Sequence, residues 1–352
     1  MLFFVYFCRR ILDNMPFCGM KCSVVILNWN GAKMLREYLP SVIQHTPTDG
    51  VEIVVADNGS TDDSVDILQR AFPDVRLILL ERNYGFAEGY NRAIAGIDSE
   101  YVVLLNSDVR VKDDWLTPLL DYMDAHEKVA AVQPKVLSDL RPTYFEHAGA
   151  AGGYMDRLCY PYCRGRMLSN VEEDKGQYDT VAPVFWTTGC CMCARTRIYN
   201  KVGGLDARFF AHMEEIDLCW RLQCRGYELK CVPQSRVYHL GGGSLQYESP
   251  RKTYLNFRNC LLMIYKNMPM GRLWGVMAAR FVLDYLAALH LLVQGKPRNM
   301  WAVVQARWDF LCMRHFFRHA RKDNQVAAQV PYPAMIAQRS ILLDYYLKHK
   351  IC

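Results

Sequence analysis

Three carboxylates stand at places in this sequence where an acid can do chemistry: Asp57 in VVADNGSTDD, Asp108 in LLNSDV and Glu215 in HMEEIDLCWR. A carboxylate there can accept a hydrogen bond from a ring N–H, hold a divalent cation, or take a proton as a general base. Polar residues accompany them in similar settings: Asn28 and Asn30 in NWNG, Arg82, Asn83 and Gly85 in RNYG, Asn106 in LLNSD, and His239 in VYHLGGG. Any one of these is ordinary turn or cap chemistry, because Asn, Asp, Gly and Ser favour such positions. Their recurrence after successive apolar runs points to a shared site.

The runs that must position them read as strands. CSVVILN, VEIVVAD, VRLILLE and YVVLLN are short, continuous and rich in β-branched residues. Helical patterns separate them over Ala32 to Gln44, DDSVDILQRAF (capped by Ser60 or Thr61) and Phe86 to Ile97. Apolar strands alternating with amphipathic helices predict a parallel sheet covered on both faces. Ligands of such sheets bind beyond the carboxyl ends of the strands, where the polar segments fall. No Gly-x-Gly-x-x-Gly follows the first strand and no Gly-Lys-Ser/Thr loop occurs, which disfavours dinucleotide and P-loop chemistry.

With 352 residues, 51% hydrophobic and 22% charged, the chain can bury a large core. A net charge of +6 is too mild to mark a nucleic-acid binder. The 14 cysteines fall largely within predicted strands and helices and read as reduced thiols packed as small hydrophobes, including Cys190, Cys191 and Cys193. Residues 1–21 form a leader of uncertain role, opening MLFFVYFCRR, too short to span a bilayer. Residues 22–137 read as a first half built on the parallel strands, 138–180 as a variable insertion or flexible loop near the site, 181–248 as a second half, and 249–352 as a helical region.

Four blocks, VVADNGSTDDS, RNYGFAEGYNRAI, NSD and MEEIDLCWR, occur in an order that resembles family 2 glycosyltransferases, particularly their rhamnosyltransferase-like branch, over about Cys22 to Asn259. The resemblance implies an α/β chain of the glycosyltransferase A fold, a Rossmann-like, mostly parallel sheet flanked by helices, here with a C-terminal helical appendage. It implies inverting transfer of rhamnose or another hexose from a uridine- or thymidine-type nucleotide-diphosphate donor to a glycan or lipid-linked acceptor in surface polysaccharide synthesis. Donor-binding residues would be Asn28, Asn30, Asp57, Arg82, Asn83, Gly85, Asn91 and Asn106, with Arg258 of NFRN at the diphosphate. The metal motif is Asn106-Ser107-Asp108 instead of Asp-x-Asp, so Asp108 would need His239 as a second ligand for manganese or magnesium. Glu215 would be the catalytic base, one methylene longer than the usual Asp. Gly189 would let the acceptor approach, and Glu214 would lie on the acceptor side while complementing the helix dipole. Asp217 pairs instead with Arg221, its i+4 neighbour.

The last region mixes apolar, aromatic and basic residues. RLWGVMAARFVLDYLAALHLLV is about long enough to span a bilayer but is interrupted by Arg280, Asp284 and His290. An amphipathic helix pair on an inner-membrane surface and a helical cap on the catalytic domain both fit. The protein is expected in the cytoplasm, at the cytoplasmic face of the membrane if the helices anchor it. Two rival activities share the predicted sheet: a sugar nucleotidyltransferase, which favours a basic glycine-rich loop that NWNG is not, and a catalytically silent glycan-binding or scaffold protein, suggested by the missing first Asp.

Overall fold

The computed structural model describes residues 19–168, 170–241 and 249–348, so most of the leader lies outside the described residues. The four apolar runs form β1 (Met20–Asn28), β2 (Val51–Asp57), β3 (Arg76–Leu79) and β4 (Ser99–Asn106). They pair in parallel in the order β3-β2-β1-β4. Parallel neighbours need crossovers, here α1 (Ala32–His45), α2 (Ser64–Ala71) and α3 (Gly85–Ala95). All four carboxyl ends therefore open on one edge, as the sequence pattern predicts. One local expectation fails: α2 begins at Ser64, and the Ser60 hydroxyl and Thr61 N–H bond to Asn30 instead of capping a helix.

Beyond β4 come β5 (Val109–Val111), α4 (Thr117–Ala125) and β6 (Val129–Ser138). The stretch expected to be a flexible insertion is built instead: β7 (Gly153–Asp156), β8 (Pro161–Cys163), β9 (Arg166–Met167) and β10 (Asn170–Val171) form a small second sheet. Its lack of periodicity reflects strands of two to four residues, too short to show alternation. The main sheet resumes with β11 (Ala182–Pro183) and β12 (Cys191–Arg195), followed by α5 (Thr196–Lys201), α6 (Glu214–Cys224) and β13 (Glu228–His239). β12 runs antiparallel between β4 and β6, and β13 lies parallel to β6. β5 pairs antiparallel with the end of β13, setting Val109 opposite His239.

The chain ends in α7 (Pro250–Asn267), α8 (Met270–Val293), α9 (Pro297–Met313), α10 (Arg318–Ala327), β14 (Ile336–Ala337), which joins the second sheet beside β7, and α11 (Ile341–Lys348). The core sits on both faces of the main sheet and takes in fully buried Tyr90, Trp115 and Trp220. Among the described residues ten free cysteines are buried and act as packing groups, and Cys312 is exposed.

α6 is tied to α7 by buried charge. Asp217 accepts from Arg221 Nε at 2.9 Å, Lys266 Nζ at 2.8 Å and Asn267 Nδ2 at 2.7 Å. The predicted Asp217–Arg221 pair is thus one arm of a larger network. Asp217→Ala would leave buried Arg221 without its anion and Lys266 with only Asp206, and should cost about 3–5 kcal/mol of stability, read by chemical denaturation. An unchanged midpoint and slope would show that the network adds nothing.

Candidate active site

The polar residues gather where the strands end. Asn28, at the tip of β1, donates from Nδ2 to Asp57 Oδ2 at 2.9 Å, and Ser60 N–H donates to Asp57 Oδ1 at 2.9 Å. Asn30 adopts φ of 48° and accepts from Thr61 N–H at 2.7 Å. These bonds lock the loops after β1 and β2 into one cradle. Asn28 Oδ1 is buried inside it without a hydrogen-bond partner, an acceptor left over by the fold.

A residue absent from the sequence argument joins the next loop to it. Asn58 donates to Asn83 Oδ1 at 3.2 Å and the Gly85 carbonyl at 3.1 Å, and accepts from Tyr84 N–H at 3.0 Å. Gly59, at φ of 74°, lets this turn press against the Arg82 main chain, where a Cβ would meet Cα at 2.4 Å. Arg82 itself is exposed, its guanidinium 5.0 Å from the Tyr84 ring.

The second cluster is at β4. Asp108 Oδ1 and His239 Nε2 lie 3.1 Å apart, both residues almost fully buried, with Asn106 Nδ2 at 3.4 Å from the same nitrogen. The other ring nitrogen, Nδ1, is 3.3 Å from Glu146 Oε2. Glu146 lies in the segment expected to be a variable insertion and was not legible as a site residue: FEHAG has neither periodicity nor a recognisable motif. Burial works against a charged imidazole here, but Cys190, Asp108 and Glu146 around it outweigh burial and hold the His239 pKa well above the ordinary value.

The third cluster is the entry to α6. Three non-glycine residues approach it with positive φ: Phe210 (66°), His212 (70°) and Met213 (73°). Such backbone costs of order 1–3 kcal/mol per residue and persists only when its surroundings enforce it. Asn259 Nδ2 reaches the carbonyls of Phe209 (3.0 Å), Ala211 (2.8 Å) and His212 (2.8 Å), and Arg258 reaches Phe209 O at 3.1 Å. The Phe210 carbonyl accepts from Phe86 N–H at 2.8 Å, and its ring occupies the space a side chain on Gly85 would fill.

That loop delivers two acids with different surroundings. Glu214 is 4% exposed, its Oε2 lacks a partner, and burial together with the Glu215 charge holds its pKa well above the ordinary value. Glu215 is partly exposed and faces Gly189, whose Cβ position would lie 3.7 Å from Glu215 Cβ and 3.3 Å from the Phe86 ring. Burial pushes its carboxyl up to about 7, although the main-chain N–H groups at the helix start pull it down. A group poised there can take a proton near neutral pH. Gly189 also joins the clusters, since the carbonyl of the next residue, Cys190, accepts from Asn106 N–H at 2.9 Å.

Three expected site residues are bonded to, or buried within, the chain itself. Asn91 is committed to the chain: it donates to Leu205 O at 2.6 Å and accepts from Tyr199 OH and Leu205 N–H. Arg258 is 9% exposed and bonded to Asn259, Tyr254 and Phe209, so it shapes the α6 entry loop instead of reaching a diphosphate. Glu214 is 4% exposed and packed within the core.

As to a metal, among the described residues no group of three or more His, Cys, Asp and Glu side chains is arranged to hold an ion. Asp108 Oδ1 and His239 Nε2 are nonetheless spaced to serve as two ligands of one divalent cation, which would displace the imidazole proton on binding. Glu146 Oε2, 3.3 Å from Nδ1, stands where a carboxylate would support a ligating histidine.

Comparison with known proteins bears on this geometry. The family model for glycosyl transferase family 2 matches residues 23–195. The N-acetylglucosaminyl-diphospho-decaprenol L-rhamnosyltransferase of Mycobacterium tuberculosis is 26% identical over 230 residues, spanning 61% of this chain and 75% of that protein. The rhamnosyltransferase WbbL of Escherichia coli is 26% identical over 163 residues, 44% of this chain and 61% of that protein. Among solved structures, GalNAc-T7 with UDP, GalNAc and Mn2+ superposes with a TM-score of 0.56 at 17% identity, over 90% of this chain and 59% of that one. TarS of S. aureus in complex with UDP gives 0.53 at 18%, over 87% and 89%. These likenesses show a shared glycosyltransferase A fold.

The Glu215 shift has a consequence independent of any reaction. Its folded-state pKa of about 7 lies above the ordinary 4.5, so between those values the folded protein keeps a proton that the unfolded chain releases. Stability from this group is therefore greatest below about 4.5 and falls as pH rises towards 7. Glu215→Gln removes the penalty, so the variant should gain on the native protein above pH 7 and not below 4.5 in thermal melts. A difference that does not vary with pH would mean that Glu215 titrates normally.

Proposed function

We propose that this chain, whose residues 23–195 match the model for glycosyl transferase family 2, is an inverting, metal-dependent hexosyltransferase acting from a nucleotide-diphosphate sugar. The carrying observation is Glu215: a carboxyl raised to about 7 beside Gly189, linked through Gly189-Cys190 and Asn106 to the Asp108–His239 pair. One end of the site suits a base and the other a diphosphate.

In this reading Asn28 and Asp57 receive the pyrimidine ring of a uridine or thymidine nucleotide, with Asn28 Oδ1 as the open acceptor. Asn30 and the loop Arg82–Gly85 border the nucleoside and the phosphates, where exposed Arg82 supplies positive charge. Asp108 and His239 would hold manganese or magnesium, with Glu146 behind the imidazole and Asn106 beside them. The chemistry gained there would be neutralisation of the charge left on the departing diphosphate. Gly189 leaves room for an acceptor hydroxyl against Glu215, which removes its proton as the oxygen attacks the anomeric carbon from the opposite face. One displacement with no enzyme nucleophile inverts the centre. The sugar is rhamnose or another hexose, and the acceptor a glycan or lipid-linked glycan of surface polysaccharide synthesis, as the name of the mycobacterial relative suggests.

The membrane enters through α8, which is long and apolar enough to cross a bilayer by length and composition. Its two interior charges face the protein: Asp284 accepts from Arg280 Nε at 3.1 Å and Arg307 Nη1 at 2.6 Å, and Arg280 also reaches the Cys159 carbonyl at 3.3 Å. One side of α8 is thereby held to the catalytic domain, which favours a helix lying on the cytoplasmic face of a membrane over one that spans it.

Glu215→Gln should lower transfer roughly 10²–10⁴-fold while donor binding survives, and Glu214→Gln, a core substitution, should leave the transfer rate nearly unchanged. The native rate should rise as pH climbs through about 7, where Glu215 gives up its proton. A Glu215→Gln enzyme with full transfer would remove the single-displacement reading and revive a silent or differently acting protein.

Glu146→Gln tests the cation site. Removing the charge behind His239 should weaken manganese-dependent donor binding about 10–100-fold, with partial rescue at high manganese. Calorimetry showing the same manganese affinity in both proteins would separate Glu146 from the cation.

A further inference from the structure

We propose that the groove between the first turns of α7 and α9 binds an acidic glycan, with a sugar ring lying on Trp301 and its carboxylate held by Arg251 and Arg298. This goes beyond the transferase reading above and rests on it in one respect, that the glycan is the acceptor polymer.

The groove holds about 580 Å³ and is lined by Pro250, Arg251 and Tyr254 of α7 and by Pro297, Arg298 and Trp301 of α9, with Gln305 one turn further along α9. Asn299 Nδ2 donates to Thr253 Oγ1 at 2.9 Å and ties the two first turns together. Tyr254 OH donates to Asp309 Oδ2 at 2.6 Å, which fixes one aromatic wall.

The charge on the groove is of one sign. Neither Asp nor Glu lines it, both arginines are exposed, and neither forms an ion pair with another described residue. Arg251 lies 5.4 Å from the centroid of the Phe210 ring, a contact that leaves its charge unneutralised. Helix stability does not account for the arginines, because the first turn carries the positive end of the dipole and favours acids. The helix ends are also poor anion sites by themselves, since each helix opens on a proline, which has no N–H to offer. Anion recognition therefore falls to the guanidinium groups, whose planar forks match the two oxygens of a carboxylate.

The indole decides what carries the anion. Trp301 is 63% exposed and makes no ring contact with another described residue. A small inorganic anion would leave that indole in water, and a purely apolar ligand would strip water from two unpaired guanidinium groups. A sugar that bears a carboxylate satisfies both: its C–H face covers the indole, its carboxylate meets the arginines, and its hydroxyls reach Gln305. The groove is open to solvent, so a chain of sugars can enter and leave it. A polymer held here is a tethered acceptor, and tethering raises the effective concentration of its free end.

The test is calorimetric titration of the full chain with three probes. These are an oligogalacturonate, its methyl ester, which keeps the sugars and removes the charges, and a polyglutamate of equal length, which keeps the charges and removes the sugars. Native protein should bind the oligogalacturonate about tenfold or more tightly than either of the others. Arg251→Gln with Arg298→Gln should bring oligogalacturonate binding down to the level of the ester, and Trp301→Ala to the level of polyglutamate, each variant first shown to be folded by its thermal melt. Equal affinity for polyglutamate would replace the glycan site with general anionic attraction. Equal affinity for the ester, no binding of the oligogalacturonate, or variants that bind like the native protein would each overturn the proposal. Nucleotide-sugar binding by the native protein, measured alongside, tests the transferase reading separately: its absence with selective glycan binding intact would sink that reading and leave the groove standing.

Discussion

The residues between Phe209 and Glu214 enter α6 through backbone that L-amino acids avoid, and most of the site depends on what holds them there. Three positive φ angles within four residues would relax without support. Asn259 and Arg258 of α7 supply it from one side by binding the loop carbonyls, and Phe86 N–H from the other. The strained turn thus connects the helix carrying Glu215, the loop after β3 and the C-terminal helices. A disturbance in any one of them reaches the carboxylate.

Two residues with polar, ligand-like side chains are drawn into the same kind of support. Arg258 and Asn91 are both turned on the chain, Arg258 holding the α6 entry and Asn91 gripping the segment around Leu205. Buried polar groups must be bonded, and here the backbone of irregular segments is the partner. Glu214 and Glu215, neighbours at a helix start, differ in exposure: Glu214 is packed in the core and Glu215 is partly exposed beside Gly189, although each keeps one carboxyl oxygen without a partner.

The C-terminal helices show charge sorted by face. Arg280, Asp284 and Arg307 would be costly in hydrocarbon, and they are satisfied inside the protein, so the outer surface of α8 keeps almost only apolar groups. Composition along the helix suggested interruption, whereas the three-dimensional arrangement gives one apolar side and one side bonded to the domain.

The sequence by itself determined the parallel half of the sheet and the strand ends that carry Asn28, Asp57, Asn83 and Asn106, because a buried strand needs a continuous apolar run and its loop needs turn residues. It also carried the Asp217–Arg221 pair, a local i to i+4 relation. Family resemblance pointed to Asp108, His239 and Glu215. Only the tertiary structure decided that Glu146, from a stretch without periodicity, stands behind His239, and that Asn58 joins the loops after β2 and β3. It also decided that Arg258 and Asn91 serve the backbone. Periodicity records which face of an element is buried, but the partner of a polar side chain is fixed by contacts between segments far apart in the chain, and those exist only once the strands have paired.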